Sequence, residues 1–362
     1  MTHTHPCPSP PRLNPHTSHL RSHLHHTPTR PSSALCVTTG SQDALSKAFE
    51  MLLDEDDSIL VEAPTYPGAL AFLKPLGCDL VPVETDGEGI IPASLRKLLD
   101  DWDASLQGRK PKCLYTCPTG CNPTGATISE ERRREIYAIA RDHDFLILED
   151  DPYHFLQYQD PSDPAQQARV AAGNPFRVPS FLQIENRWLQ EENGNGAGAG
   201  ADGGEGGGEG EGEGGASDTA RVLRFDSLSK ILSSGVRIGF ATGPAPLIER
   251  LELHTQATQL HTSGVSQLLV ASLIKEWGLE GFNDHTVAVS DLYRERRDVF
   301  LESAERHLTG LATWTTPTAG MFVWLECLGV EETDTLIREK ALKKKVLMLP
   351  GSVFMPDGSP SK

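Results

Sequence analysis

Four short stretches combine residue types that could hold a phosphorylated ligand and move protons on it. Asp226-Ser227-Leu228-Ser229-Lys230, followed by Gly235-Val236-Arg237-Ile238-Gly239, frames one lysine with hydroxyls and a guanidinium. A lone lysine is ordinarily a surface residue, but these surroundings suit an amine that forms an imine with an aldehyde cofactor while Ser227, Ser229 and Arg237 hold its phosphate. Thr38-Thr39-Gly40-Ser41-Gln42 stands before a helical pattern, where free N–H groups, the helix dipole and the Ser41 hydroxyl would bind a phosphate; alone, Ser41 is also an ordinary N-cap. Pro118-Thr119-Gly120-Cys121-Asn122-Pro123-Thr124-Gly125 reads as a loop shaped by two prolines and two glycines, presenting the amide of Asn122. Glu149-Asp150-Asp151-Pro152-Tyr153 closes an apolar strand, at the edge where parallel sheets bind ligands; a solvated strand terminus is the alternative.

Such residues need strands that end side by side. Leu45, Ala48, Phe49 and Leu52 share one helical face, and a helix is expected from Ser129 to Asp142. Apolar runs predict strands at Ile59-Leu60-Val61, Leu80-Val81, Cys113-Leu114-Tyr115, Phe145-Leu146-Ile147-Leu148, Val222-Leu223 and Ile238-Gly239-Phe240. Alternation of this kind implies an α/β fold, a mostly parallel sheet sandwiched by helices. Long helices are expected between Pro244 and His307. Strands at Phe322-Val323-Trp324-Leu325 and Val346-Leu347, with a helix near Asp334–Lys344, suggest a smaller α+β unit.

With 33 Lys and Arg against 50 Asp and Glu in 362 residues, the formal charge of -17 argues against a nucleic-acid partner. No run approaches the ~18 apolar residues of a membrane span. Residues 1–33 hold seven of the thirteen His and few aliphatic residues, and read as a disordered tail. They lack acids and carry Arg12, Arg21 and Arg30 as transit peptides do, although their prolines oppose the amphipathic helix such peptides need. Residues 193–215 read as a flexible, dispensable Gly-rich insert; the eight acids between 191 and 218 account for the step from -17 to -9. Seven Cys without a scaffold-like density imply reduced thiols, and no metal site is expected at Cys113, Cys117 and Cys121, which run from a strand into a loop. His154, beside Tyr153, is expected to border the pocket. A cytoplasmic location is expected, with a mitochondrial one as the alternative.

Taken in order, the four motifs resemble the class I/II aminotransferases of pyridoxal-phosphate fold type I. The stretches VTTGSQDAL, APTYPGAL, FLILEDDPYHFLQY and SLSKILSSGVRIGFATGP, between about residues 34 and 357, are similar to the kynurenine/α-aminoadipate aminotransferase branch. The resemblance implies pyridoxal 5'-phosphate bound to Lys230, which would also move the substrate's α-proton. It implies Asp150 paired with the pyridine nitrogen, Tyr153 and Asn122 at the phenolic oxygen, Tyr66 stacked on the ring, and Ser41, Gln42, Ser227, Ser229 and Arg237 around the phosphate. Side chains alternate across a strand, so Glu149 and Asp151 would point elsewhere than Asp150. The implied reaction transfers an amino group between 2-aminoadipate, kynurenine or an aromatic amino acid and a 2-oxo acid such as 2-oxoglutarate, in a homodimer.

The expected organisation is a tail over 1–33, a cofactor-binding domain over 34–290, and an incomplete small domain over 291–362. The family's segment ahead of the region matching Leu35, and an arginine beyond the region matching Pro356 that grips the substrate carboxylate, have no counterpart among the motifs. A cofactor-binding but catalytically weak homologue or a truncated gene product therefore stands as the alternative. Lyases and decarboxylases share the same cofactor residues.

Overall fold

The structure is a computed structural model that describes residues 33–173, 175–196 and 220–359, excepting the side chains of 192–196. Its centre is a seven-stranded sheet: β1 Ser33–Thr38, β2 Ser58–Glu62, β3 Asp79–Val83, β4 Cys113–Thr116, β5 Leu146–Asp150, β6 Val222–Ser227 and β7 Gly239–Pro244. The spatial order is β1-β7-β6-β5-β4-β2-β3, with β7 antiparallel to both neighbours and every other pairing parallel. The mostly parallel sheet covered by helices is therefore present. β1 is an addition, since the stretch beside the Pro-rich tail carries no strand signal and takes its ladder from β7.

Period-two alternation divides the core. Val61, Cys113, Tyr115, Leu148, Leu223 and Phe225 pack beneath α1 (Ser41–Leu52), α2 (Pro67–Leu76) and α6 (Ala245–Gln259). Leu60, Leu114, Ile147 and Val222 face α3 (Pro92–Asp100), α4 (Glu130–Asp142) and α5 (Phe181–Gly196). Both faces are covered, which is why these strands are continuously apolar instead of alternating. Ser129 caps α4, accepting from Arg132 N, as a serine before the first helical turn should. α7, Gly264–Leu308, carries a non-helical residue at Gly278 and crosses the boundary expected at residue 290.

Two expectations change. The insert expected over 193–215 has its first four residues inside α5, which runs through Gly196; residues 197–215 lie outside those described, as do residues 1–32. Strands do not form at Phe322–Leu325 or Val346–Leu347, although Asp334–Lys344 is helical, because no described segment supplies either with a ladder partner; the nearest pairing is Ala312–Thr313 with Glu326–Cys327. Among the described residues no helix is long and apolar enough to cross a membrane.

The segment around Phe322 is instead fastened by close backbone approach. Tyr158 Oη donates to Gly320 O at 2.7 Å, and Gly320 N donates to Leu156 O at 3.0 Å. A Cβ added to Gly120, whose φ is +53°, would lie 2.7 Å from backbone atoms of Ala319 and Gly320. Gly120→Ala is expected to lower the unfolding free energy by roughly 3 kcal/mol, combining a left-handed backbone with a clash that no rotamer relieves. Chemical denaturation checks this; a loss below about 1 kcal/mol would mean the two segments part easily.

Candidate active site

The carboxyl ends of β1, β2, β4, β5 and β6 meet the amino end of β7 at one edge, since β7 alone runs against the rest. Gly239 therefore pairs with Thr38 on one side and Ser227 on the other. The cavity above this edge, about 360 Å³, is lined by all ten residues singled out from the sequence: Ser41, Gln42, Tyr66, Asn122, Asp150, Tyr153, Ser227, Ser229, Lys230 and Arg237. Cys117, Pro152, Ser234 and Phe322 complete its wall.

One end of the cavity is a cup for an anion. Gly40, at φ 91°, occupies the N-cap place expected for Ser41, and no side chain caps α1. Ser41 is thus the first helical residue, with its hydroxyl uncommitted to a cap. Arg237 holds a left-handed backbone, φ 51°, that side chains rarely adopt. Its guanidinium donates to Ser229 Oγ and Ser234 O at 3.2 Å and to Thr39 O at 3.1 Å. A Cβ at Gly40 would lie 2.7 Å from Arg237 Nη2, so the α1 start and the guanidinium meet only across a glycine. Ser227 Oγ accepts from Ser229 N, capping the turn Leu228–Lys230 that ends on the lysine. The amine of half-buried Lys230 makes no hydrogen bond or ion pair among the described residues. Gln42 Nε2 donates to Gly68 O at 3.0 Å, tying α1 to the start of α2 just after Tyr66.

At the other end, alternation sorts the three acids. Glu149 points away from the α1 side and accepts from Phe181 N and Leu182 N at the start of α5. Asp151 pairs with buried Arg224 at 2.8 Å; burial opposes ionisation, but Arg224 and His154 hold its carboxyl well below the usual range. Asp150 Oδ2 accepts from Tyr115 Oη at 3.0 Å, and its buried Oδ1 has no partner among the described residues. Burial pushes the Asp150 carboxyl up to about 7; Tyr115 acts against this, and Asp151 and Asp226 add to it. His154 does not border the cavity. It is buried 3.2 Å from Asp151, and desolvation brings it down to about 4.

The side wall carries groups the sequence left unremarked. Tyr153 packs edge-on against Phe322, ring centres 5.5 Å apart. Behind Cys117, Cys121 Sγ donates to Glu62 Oε2 at 3.0 Å and Thr116 Oγ1 donates to Glu62 Oε1. These bonds hold the Asn122 loop against the end of β2. Glu62 is fully buried, and desolvation pushes its carboxyl up to about 7 against both donors. A carboxylate closing an apolar strand was the available signal for Glu62. Nothing local marks Phe322, which joins the wall from some 170 residues beyond Tyr153. Among the described residues no group of three or more His, Cys, Asp and Glu side chains is arranged to hold a metal.

An anion cup, a free amine and an unsatisfied carboxylate gathered at one strand edge are the groups that an α/β enzyme would need to hold a phosphorylated cofactor. The chain matches the aminotransferase class I and II family over residues 6–359, reaching well ahead of the motifs. It is 44% identical over 340 residues to the mitochondrial kynurenine/alpha-aminoadipate aminotransferase of Bos taurus, covering 93% of this chain and 69% of that protein. It is 39% identical over 323 residues to aminotransferase tdiD of Emericella nidulans, covering 89% and 64%. Among solved structures, the kynurenine aminotransferase of Pyrococcus horikoshii superposes with a TM-score of 0.76 at 27% identity, covering 96% of this chain and 73% of that one. The chain belongs to the class I and II aminotransferases, a pyridoxal-phosphate-dependent family. The residues present fit that cofactor: the orphaned Asp150 Oδ1 would accept from a protonated ring nitrogen, and the cup formed by Ser41, Ser229 and Arg237 would take its phosphate.

The Glu62 carboxyl has a pH signature. Its folded-state value near 7 exceeds the ordinary 4.5, so its contribution to stability is present below about 4.5 and is lost as pH rises through about 7. Glu62→Gln cannot ionise, so its melting temperature relative to the wild type is expected to climb between pH 5 and 8. Parallel melting profiles would show that Glu62 keeps one charge state throughout.

Proposed function

We propose that the chain transfers an amino group from kynurenine, 2-aminoadipate or an aromatic amino acid to a 2-oxo acid such as 2-oxoglutarate, with pyridoxal 5'-phosphate bonded to Lys230. The observation that carries the reading is the convergence of an uncommitted lysine and an orphaned buried carboxylate oxygen on one cavity with an anion cup. The substrate range follows the names of the relatives, which include Schizosaccharomyces pombe aromatic amino acid aminotransferases and a Serpula lacrymans L-tyrosine:2-oxoglutarate aminotransferase. The alternative of a catalytically weak homologue is not favoured by them. When bound, pyridoxal phosphate supplies an aldehyde that takes up the amino group and a ring that accepts the electrons released with the α-proton.

The protein's own groups divide the remaining work. Lys230 Nζ would hold the cofactor through its aldehyde and, once displaced by the substrate's amino group, would carry the α-proton. Asp150 Oδ1 would hold the proton on the ring nitrogen. Tyr66 would cover the ring face, and Tyr153 Oη and Asn122 would hydrogen-bond the phenolic oxygen. Ser41, Gln42, Ser227, Ser229 and Arg237 would hold the phosphate, and Phe322 braces the Tyr153 ring from the side wall. We also propose a homodimer. Leu260, Val265, Leu268 and Leu269 are 62–76% exposed around the α6–α7 turn, an apolar surface that a second copy would cover.

Purified protein mixed with pyridoxal phosphate should absorb in the visible range, and Lys230→Ala should abolish that band; an unchanged spectrum would refute the assignment. Asp150→Asn should retain the band while lowering turnover about 10²-fold or more, the scale of losing one preorganised electrostatic contact. Comparable damage from Glu149→Gln or Asp151→Asn with Asp150→Asn harmless would place the ring nitrogen elsewhere. Light scattering should give twice the chain mass, and Leu268→Glu with Leu269→Glu should shift it toward one copy. A wild-type protein that stays monomeric would remove the dimer.

A further inference from the structure

Tyr115 lies outside the cavity, yet among the described residues it supplies the one hydrogen bond made to the Asp150 carboxylate. The register explains the contact. Tyr115 pairs with Leu148 across β4 and β5, and Asp150, two residues on, returns to the same sheet face. The ring has no freedom to swing away. It is 1% exposed, packs with Leu148 and Leu223, and meets the edge of Phe49 from α1 with ring centres 5.7 Å apart. A donor held this rigidly fixes the plane of the carboxylate as well as stabilising its anion.

We propose that Tyr115 is a positioning residue, whose hydroxyl pins Asp150 Oδ2 so that Oδ1 is presented to the cofactor's ring nitrogen. The proposal rests on the role given to Asp150 above and extends it to a core residue that touches neither cofactor nor substrate. Two carboxylate oxygens then have separate tasks: one is spent on the scaffold and the other is left for the ligand. The same helix that braces Tyr115 through Phe49 begins at Ser41, so the phosphate cup and the carboxylate are set from one element.

Tyr115→Phe keeps the buried ring and deletes the donor, so a folded variant is expected. The readout is the dissociation constant of pyridoxal phosphate, from visible-absorbance titration of the full chain with Tyr115→Phe, Asp150→Ala and the double substitution. Tyr115→Phe should raise that constant about tenfold in the wild-type background, as befits a lost bond to a charged group, and change it less than about twofold when Asp150 is Ala. An equal loss in both backgrounds would mean that the tyrosine acts through packing alone and would overturn the proposal. So would unchanged binding by Tyr115→Phe. If the wild-type chain itself takes up no pyridoxal phosphate, the functional reading falls and carries the proposal with it.

Discussion

The active edge depends on a guanidinium with no exposed surface. Arg224, on β6, lies 3.0 Å from Glu149, 2.8 Å from Asp151 and 2.7 Å from Asp226. Taking so many charges out of water is tolerable only while they remain paired, and removing a single partner from such a cluster typically costs ~3–5 kcal/mol. The cluster stitches β5 to β6, and so sets the distance between the strand that delivers Asp150 and the strand that delivers Ser227 and Lys230. It also reaches outward. Glu149 receives the start of α5, and Asp151 holds His154 in the turn after Tyr153.

Because its neighbours are committed in this way, Asp150 is the acid left over for a ligand. Burial and the adjacent acids push it toward neutrality, and its hydrogen-bond donor, Tyr115, acts in the opposite sense. A positive partner in the cavity would tip it fully to the anion. The anion cup follows a related logic with backbone instead of charge. Arg237 and Gly40 both hold left-handed backbones, conformations that need support from the surroundings. The antiparallel run of β7 provides that support by bringing Thr38, Ser227 and Gly239 side by side.

How far this was visible in the chain differs from residue to residue. Lys230, Asp150 and Asn122 were legible because each belongs to a short motif at the end of an apolar strand: Asp150 closes β5, while Lys230 and Asn122 lie in the turns that follow β6 and β4. Ser41 was placed one residue off as a cap, since the helix start is decided by the φ of Gly40, which no side chain announces. His154 looked like a pocket residue by proximity to Tyr153, but its ring went to Asp151. The strand at Ser33–Thr38 escaped notice because an edge strand takes its hydrogen bonds from a partner about 200 positions away.

Taken alone, the sequence determined the class of scaffold and nine of the ten cavity residues, because hydrophobic period and the short motifs near the strand ends are local properties; Tyr66 came from the family resemblance that those motifs carry. Tertiary structure alone decided which of those residues are spare. That Asp150 keeps one oxygen unsatisfied, that Tyr115 pins the other, that Glu62 backs the Asn122 loop and that Phe322 closes the wall all follow from register and close approach between segments far apart in the chain. Such pairings exist only once the strands are side by side, and no pattern within any one of them encodes the partner.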